Sequence, residues 1–415
     1  MTNRKWLIGL IATASLSSGA PVHADAVTDW NATTLACSQG PPSPPNRGGP
    51  PGLLDIALVQ AAVHDAVQAI QGRFEEYQYD NPALRGVGSP EAAAAAAAYG
   101  VLVGLYGSDD PCLATVTDPA ATYAGDAGLQ AGHEAAAALL PLYRPTLVLP
   151  TDPFVGGTEP GQWRPTPGVT QGANTFMAIT APFAMTRPSQ FRPQPQLPLT
   201  SERYLRDYNE VKSIGSLLNS TRTPEQSDIA RFWSVNFITQ WFGTLRAIAD
   251  AHLADIGDKA RLLALASFAA ADSQISVYDV KYHSNFWRPI TAIHEGDDDN
   301  NLKTVGDPTW TPLISTPPYP EYSSGANCLS GAITTILQLY FGTDAFEFSV
   351  ASTAAGLTVN PRTYYRFSEV ALEMVEVRIW QGIHFRFAEE IGRLQGRRIA
   401  HWTFQKYLGP VPGNN

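Results

Sequence analysis

Apolar residues recur at spacings of three and four through most of this chain, and that period limits its fold more than any other feature. Ile56, Val59, Val63, Val67 and Ile70 line one face of residues 55–70, the pattern of an amphipathic helix whose apolar stripe must be covered by another element. Residues 91–105 and 128–140 repeat the pattern with alanine at many positions, which suits closely packed helices. Helical periodicity resumes over 201–218, 233–256, 259–282, 325–341, 365–384 and 385–407. Within this half, Thr223-Pro224-Glu225-Gln226 reads as a helix start, with Thr as N-cap and Pro at the first helical position. Strand signals are sparse. The expected fold is all-α: two packed helical bundles sharing one core, with long Pro-rich connecting loops.

Proline divides the chain further. Residues 37–51 are so rich in Pro and Gly that an extended surface arm is expected there. Twelve prolines fall between Pro141 and Pro198, a stretch without periodicity that reads as a lid or a wrapping segment. The expected divisions are a signal peptide over 1–24, an extended arm over 25–52, an N-terminal helical region with a long Pro-rich loop over 53–200, and a C-terminal helical region over 201–415.

The start of the chain has the form of an export signal: Arg4 and Lys5, an apolar run from Trp6 to Ala14, then Val22-His23-Ala24. An apolar core of about nine residues is too short to span a bilayer, and no later stretch is expected to approach a transmembrane length. Cleavage after Ala24 would remove Arg4 and Lys5 and no acid, taking the formal charge from -10 to -12. A secreted or periplasmic location is therefore expected. An acidic chain without a basic block is a poor nucleic-acid binder, so any anion it holds needs a local cationic pocket. Cys37, Cys112 and Cys328 have no CxxC spacing, which argues against a zinc site. An oxidising compartment permits one disulfide, and Cys37–Cys112 is the pairing expected, since Cys328 falls in a helix beside the pocket described next.

Three short segments carry the chemistry. Lys281 lies near the end of one helical stretch, with Arg288-Pro289 seven residues on. Ser324-Gly325 joins the Pro-rich run 317–323 to a new helix, where unpaired backbone N–H groups can face an anion and Gly permits its close approach. Arg378 and His384 are six residues apart, about 600° on a continuous helix, and Gly382 between them suggests a break that lets both face one site. Read singly, these are a capped helix end, a Ser N-cap and a core histidine. Read together, they supply a guanidinium fork, an ammonium, a hydroxyl and a Gly N–H, which suit the charged oxygens of a tetrahedral oxyanion, with one imidazole left to face the central atom.

The order and spacing of these segments resemble the vanadium-dependent haloperoxidases and the related phosphatidic acid phosphatase type 2 superfamily, secreted bacterial members above all. That family carries Lys-x6-Arg-Pro, then Pro-Ser-Gly-His, then Ser-Arg-x5-His-x3-Asp. The likeness extends to residues 272–293, 318–332, 163–167 and 64–67. It implies that Lys281, Arg288, Ser324, the Gly325 N–H and Arg378 hold vanadate oxygens and that His384 ligates vanadium. Hydrogen peroxide, with halide or a small organic acceptor, would be the substrates, and Lys281 and His384 the catalytic residues. Phosphate fits the same site. The alternatives are an acid phosphatase acting through a phosphohistidine at His384, or an oxyanion-binding protein with lost or weak turnover. The chain departs from the motifs at Ser323, Val377 and Ala388, which has Glu389 and Glu390 beside it, and above all at Ala326, where the motif has His. Loss of that acid/base group costs on the order of 10² to 10⁴ in rate. Asn327, His283 and Glu321 are the candidates to replace it. Tyr278 and Tyr319 flank the motifs at positions that are aromatic in the family, while Asp297-Asp298-Asp299 lacks the ligand ladder of a calcium loop.

Overall fold

A computed structural model describes residues 25–40, 48–142 and 153–413. The helices of the first part are α1 (Ala26–Gln39), α2 (Gly52–Gln71), α3 (Pro90–Tyr106), the single turn α4 (Pro119–Thr122) and α5 (Gly128–Leu139). Those of the second part are α6 (Glu202–Ile214), α7 (Pro224–Phe232), α8 (Phe237–His252), α9 (Ile256–Ser284), α10 (Pro289–His294), α11 (Gly325–Phe341), α12 (Phe367–Trp380) and α13 (Arg386–Lys406). Among the described residues the fold is all-α apart from one antiparallel pair of strands, β1 (Ala345–Val350) and β2 (Arg362–Arg366), in which Phe348 lies opposite Tyr364. The helix expected from residue 365 therefore starts two residues later. Thr363, Tyr364 and Tyr365 suit a strand, and the Tyr364 ring stacks on Phe348 with centroids 5.7 Å apart.

Two expectations are corrected. Residues 25–39 do not belong to an extended arm: Asp25 caps α1 in a capping box with Thr28, and the helix persists until Gly40 and the prolines beyond it. Residues 41–47 of that arm, like the signal peptide expected at 1–24, lie outside the described residues. Secondly, α2 is long and apolar enough to cross a membrane by length and composition, and its apolar window is wholly buried inside the fold. Its polar residues, Asp55, Gln60, His64, Asp65 and Gln68, are buried with it.

The 29-residue α9 is the spine. One continuous core cluster draws on α1, α2, α3, α5, α8, α9 and α11, and a smaller aromatic cluster of Tyr204, Tyr208, Trp287, Phe385 and Phe387 lies toward the chain turns that carry the site. Two buried carboxylates tie loops to this frame. Asp65 accepts the N–H groups of Tyr77, Gln78 and Tyr79 at 2.6, 2.9 and 2.9 Å, and Asp272 those of Phe183, Ala184 and Met185 at 2.7, 2.8 and 2.7 Å. The proline-rich segment from residue 153 onward is thereby held along α9. A disulfide joins Cys37 in α1 to Cys112, and Cys328 is a buried free thiol in α11.

Candidate functional site

Four chain turns converge at the C-terminal end of α9. Lys281 is in its last turn and Arg288 is the N-cap residue of α10. Ser324 caps α11, its Oγ accepting the Asn327 N–H at 3.3 Å, so that Gly325 heads a helix whose first N–H groups have no intrahelical acceptor. The α12 helix ends at Trp380, Gly382 adopts φ +79°, and α13 begins at Arg386. The break expected at Gly382 is thus present, and it turns His384 back toward Arg288. The long loop closes the outside: Trp163 N–H donates to the Asn285 carbonyl at 2.8 Å and Trp287 N–H to the Gly161 carbonyl at 3.0 Å.

Burial of the site is nearly complete. Lys281, Arg288, Ser324 and His384 are at most 2% exposed and Arg378 8%, so solvated cations capping a helix end are excluded. Lys281 Nζ donates to the carbonyl oxygens of Pro320 at 3.0 Å and Glu321 at 2.8 Å. Arg288 donates to the carbonyls of Tyr319 and Ile383, both at 2.9 Å, and to His384 Nε2 at 3.1 Å. The Tyr319 ring lies 5.2 Å from Lys281 Nζ and 5.0 Å from Arg288 Cζ, within cation–π range, and Tyr278 packs edge-on against it with centroids 5.3 Å apart. Both tyrosines therefore flank the cations.

On the other side of the imidazole stand two carboxyls. His384 Nδ1 is 3.0 Å from Glu321 Oε1 and 3.3 Å from Glu389 Oε1. Glu321 Oε1 also accepts the Phe385 N–H at 3.0 Å, while the second oxygen of Glu389 accepts from Asn327 Nδ2. Burial pushes the carboxyls of Glu321 and Glu389 up to about 8 and about 7 against the pull of Arg288 and Lys281 on the first and Arg378 on the second. Burial first, then Arg288, Lys281 and Arg378, holds His384 well below its ordinary range, so it is neutral at pH 7. The same burial, with Arg288, draws Lys281 down.

The six residues expected from the sequence thus stand at one locus. Of the three candidates to replace the absent imidazole, Glu321 and Asn327 are inside and His283 is exposed. Glu389, one residue past Ala388, reaches the imidazole although its side chain has no place in the motif spacing; its buried position on α13, in register with Asn327 of α11, is a tertiary fact that spacing alone does not carry. Asp297 and Asp299 are engaged within their own loop, by Gly306 N–H and by Thr304 and Asn301, and no metal-binding group of three or more His, Cys, Asp and Glu occurs among the described residues.

Several buried polar atoms face no partner: Arg288 Nη2, Arg378 Nε, Glu321 Oε2, Glu389 Oε1 and Asn327 Oδ1. Unpaired guanidinium donors in a buried site are destabilising unless an acceptor enters. Three cations outnumber two carboxyls, so the net field favours an anion, and the donor set fits a tetrahedral oxyanion such as vanadate or phosphate.

An all-α fold with a buried cationic cradle around one neutral imidazole defines the class. Residues 261–412 match the family model of the VCPO second helical-bundle domain. A stretch of 94 residues is 32% identical to the vanadium chloroperoxidase of Curvularia inaequalis, covering 20% of this chain and 15% of that enzyme's length. The fold as a whole is similar to that of a bacterial vanadium-dependent iodoperoxidase, with TM-score 0.74, 24% identity, and coverage of 93% of this chain and 97% of the other. It is similar also to a bacterial vanadium-dependent chloroperoxidase in its holo form, with TM-score 0.67, 16% identity, and coverage of 94% and 98%.

Proposed function

We propose that this protein is a haloperoxidase-like enzyme that binds vanadate and uses hydrogen peroxide to oxidise halide or a small organic acceptor, and that it acts outside the cytoplasm. One observation carries the reading: a neutral, buried His384 turns Nε2 toward guanidinium and ammonium groups among which unpaired donors remain. Lys281, Arg288, Arg378, Ser324 and the Gly325 N–H would hold the oxygens, and His384 Nε2 the central atom. When bound, vanadate supplies an electrophilic centre that activates peroxide toward a halide. The fixed cations meet negative charge without having to reorganise, and such preorganised electrostatic stabilisation commonly lowers a reaction barrier more than any other single effect. The match of residues 261–412 to the VCPO second helical-bundle domain supports the same reading.

Ala326 bears no proton donor, so proton transfer is the weak step and turnover is slow. The test is bromide oxidation with and without vanadate, alongside release of phosphate from an aryl phosphate, in wild type, A326H and H384A. The expected result is slow vanadate-dependent oxidation, faster in A326H and lost in H384A. Phosphate release that depends on His384, without oxidation, would replace this reading with the phosphatase; oxyanion binding without either turnover would leave a binding protein.

A further inference from the structure

Nothing in Arg288 can accept a hydrogen bond, so the 3.1 Å contact between its Nη1 and His384 Nε2 requires a lone pair on Nε2. The ring proton of the neutral imidazole is then on Nδ1, where two carboxyls compete for it. Glu321 Oε1 receives it at 3.0 Å, and the same oxygen is anchored by the N–H of Phe385, the residue next to His384. Glu389 Oε1 lies 3.3 Å away with no hydrogen bond of its own, because its carboxyl is turned to Asn327.

The Glu321 carboxyl is itself fixed from both sides of its backbone. Its N–H donates to the Phe286 carbonyl at 2.9 Å, and its carbonyl accepts from Lys281 at 2.8 Å. An oxyanion entering the cradle would draw Arg288 away from Nε2, and the Nδ1–H to Glu321 bond is the contact that would still orient the ring. Ala388, at the place where the third motif has Asp, offers no side-chain acceptor, and its carbonyl takes the Ser324 N–H at 3.2 Å.

We infer that Glu321, carried on the loop before α11, is the positioning residue of His384: it holds the ring as the Nδ1–H tautomer and presents the Nε2 lone pair to the oxyanion. This rests on the oxyanion reading above. A purely electrostatic role has the opposite sign, since whatever negative charge the Glu321 carboxyl carries opposes an anion, and its removal should leave anion binding unchanged or tighten it. Outer partners of a ligating histidine typically contribute 10- to 100-fold to affinity.

The test uses full-length protein with ¹⁵N-labelled histidine, comparing wild type, E321M, E321Q and E389M. His384, assigned by loss in H384A, should show a hydrogen-bonded downfield Nδ1–H resonance in wild type and E389M. It should move upfield in E321Q, which keeps the shape and a weaker acceptor, and be lost in E321M. In E321M vanadate affinity should fall by about 10- to 100-fold, while affinity for inorganic phosphate, which needs no Nε2 bond, holds or rises. An unmoved resonance in E321Q, an unchanged vanadate-to-phosphate ratio in E321M, or loss of the resonance in E389M alone would overturn the inference. Failure of wild type to bind either oxyanion would sink the oxyanion reading, and the resonance would then decide the role of Glu321 by itself.

Discussion

Arg288 directs its guanidinium at two carbonyls and the His384 ring, a planar set that an ammonium cannot reproduce. R288K should therefore lose at least about tenfold in oxyanion affinity while keeping the charge, measured by calorimetry; an unchanged affinity would mean that charge alone matters. Most of the cradle was legible because its residues fall in short motifs: Lys281, Arg288, Ser324, Gly325, Arg378 and His384 stand together as their spacing implies. The carboxyls were less legible. Glu321 could be named only as one of three candidates, since nothing in a sequence says which way a loop carboxyl turns, and Glu389 reaches the ring only because α13 packs against α11.

At the scale of elements, the break between α12 and α13 is the device that brings Arg378 and His384 to one site. Gly382 has φ +79°, and a Cβ there would lie 2.3 Å from the Gly215 carbonyl oxygen. G382A should destabilise the fold by about 1 kcal/mol from the backbone alone, more from the clash, and should weaken oxyanion binding through displaced His384; a chemical denaturation curve matching wild type would contradict this. The loop clamp at Asp272 gives a pH signature. Burial outweighs its three N–H bonds and raises its carboxyl to about 6, so the folded state binds the proton more tightly than the unfolded chain. The stability from this group is complete below the unfolded value near 4 and is lost as pH rises through about 6. The destabilisation caused by D272N should thus be larger at pH 4.5 than at pH 7, read from denaturant midpoints; a penalty that grows with pH would show that the N–H bonds prevail. Helix bounds followed from periodicity to within a few residues for α2, α3, α5, α9 and α11. The misses were α1, hidden beside a proline run, and the β1–β2 pair, whose tyrosines and phenylalanines fit a helix or a strand until they face each other.

For the whole molecule, a shared core rather than any single bundle fixes the site, since α9 packs against helices from both halves of the chain. The Cys37–Cys112 disulfide, spanning 75 residues, secures the N-terminal helices to that core. Its removal in C37S/C112S should lower the unfolding free energy by about 2–4 kcal/mol, whereas buried Cys328 should react with a thiol reagent only on unfolding. The central claim is that this frame holds a tetrahedral oxyanion against a neutral His384. Titration of full-length protein with orthovanadate, followed by ⁵¹V NMR, tests it most directly. Wild type should show one saturable site that is weakened at least about tenfold in H384A; no binding in wild type, or equal binding in H384A, would mean that no such site exists.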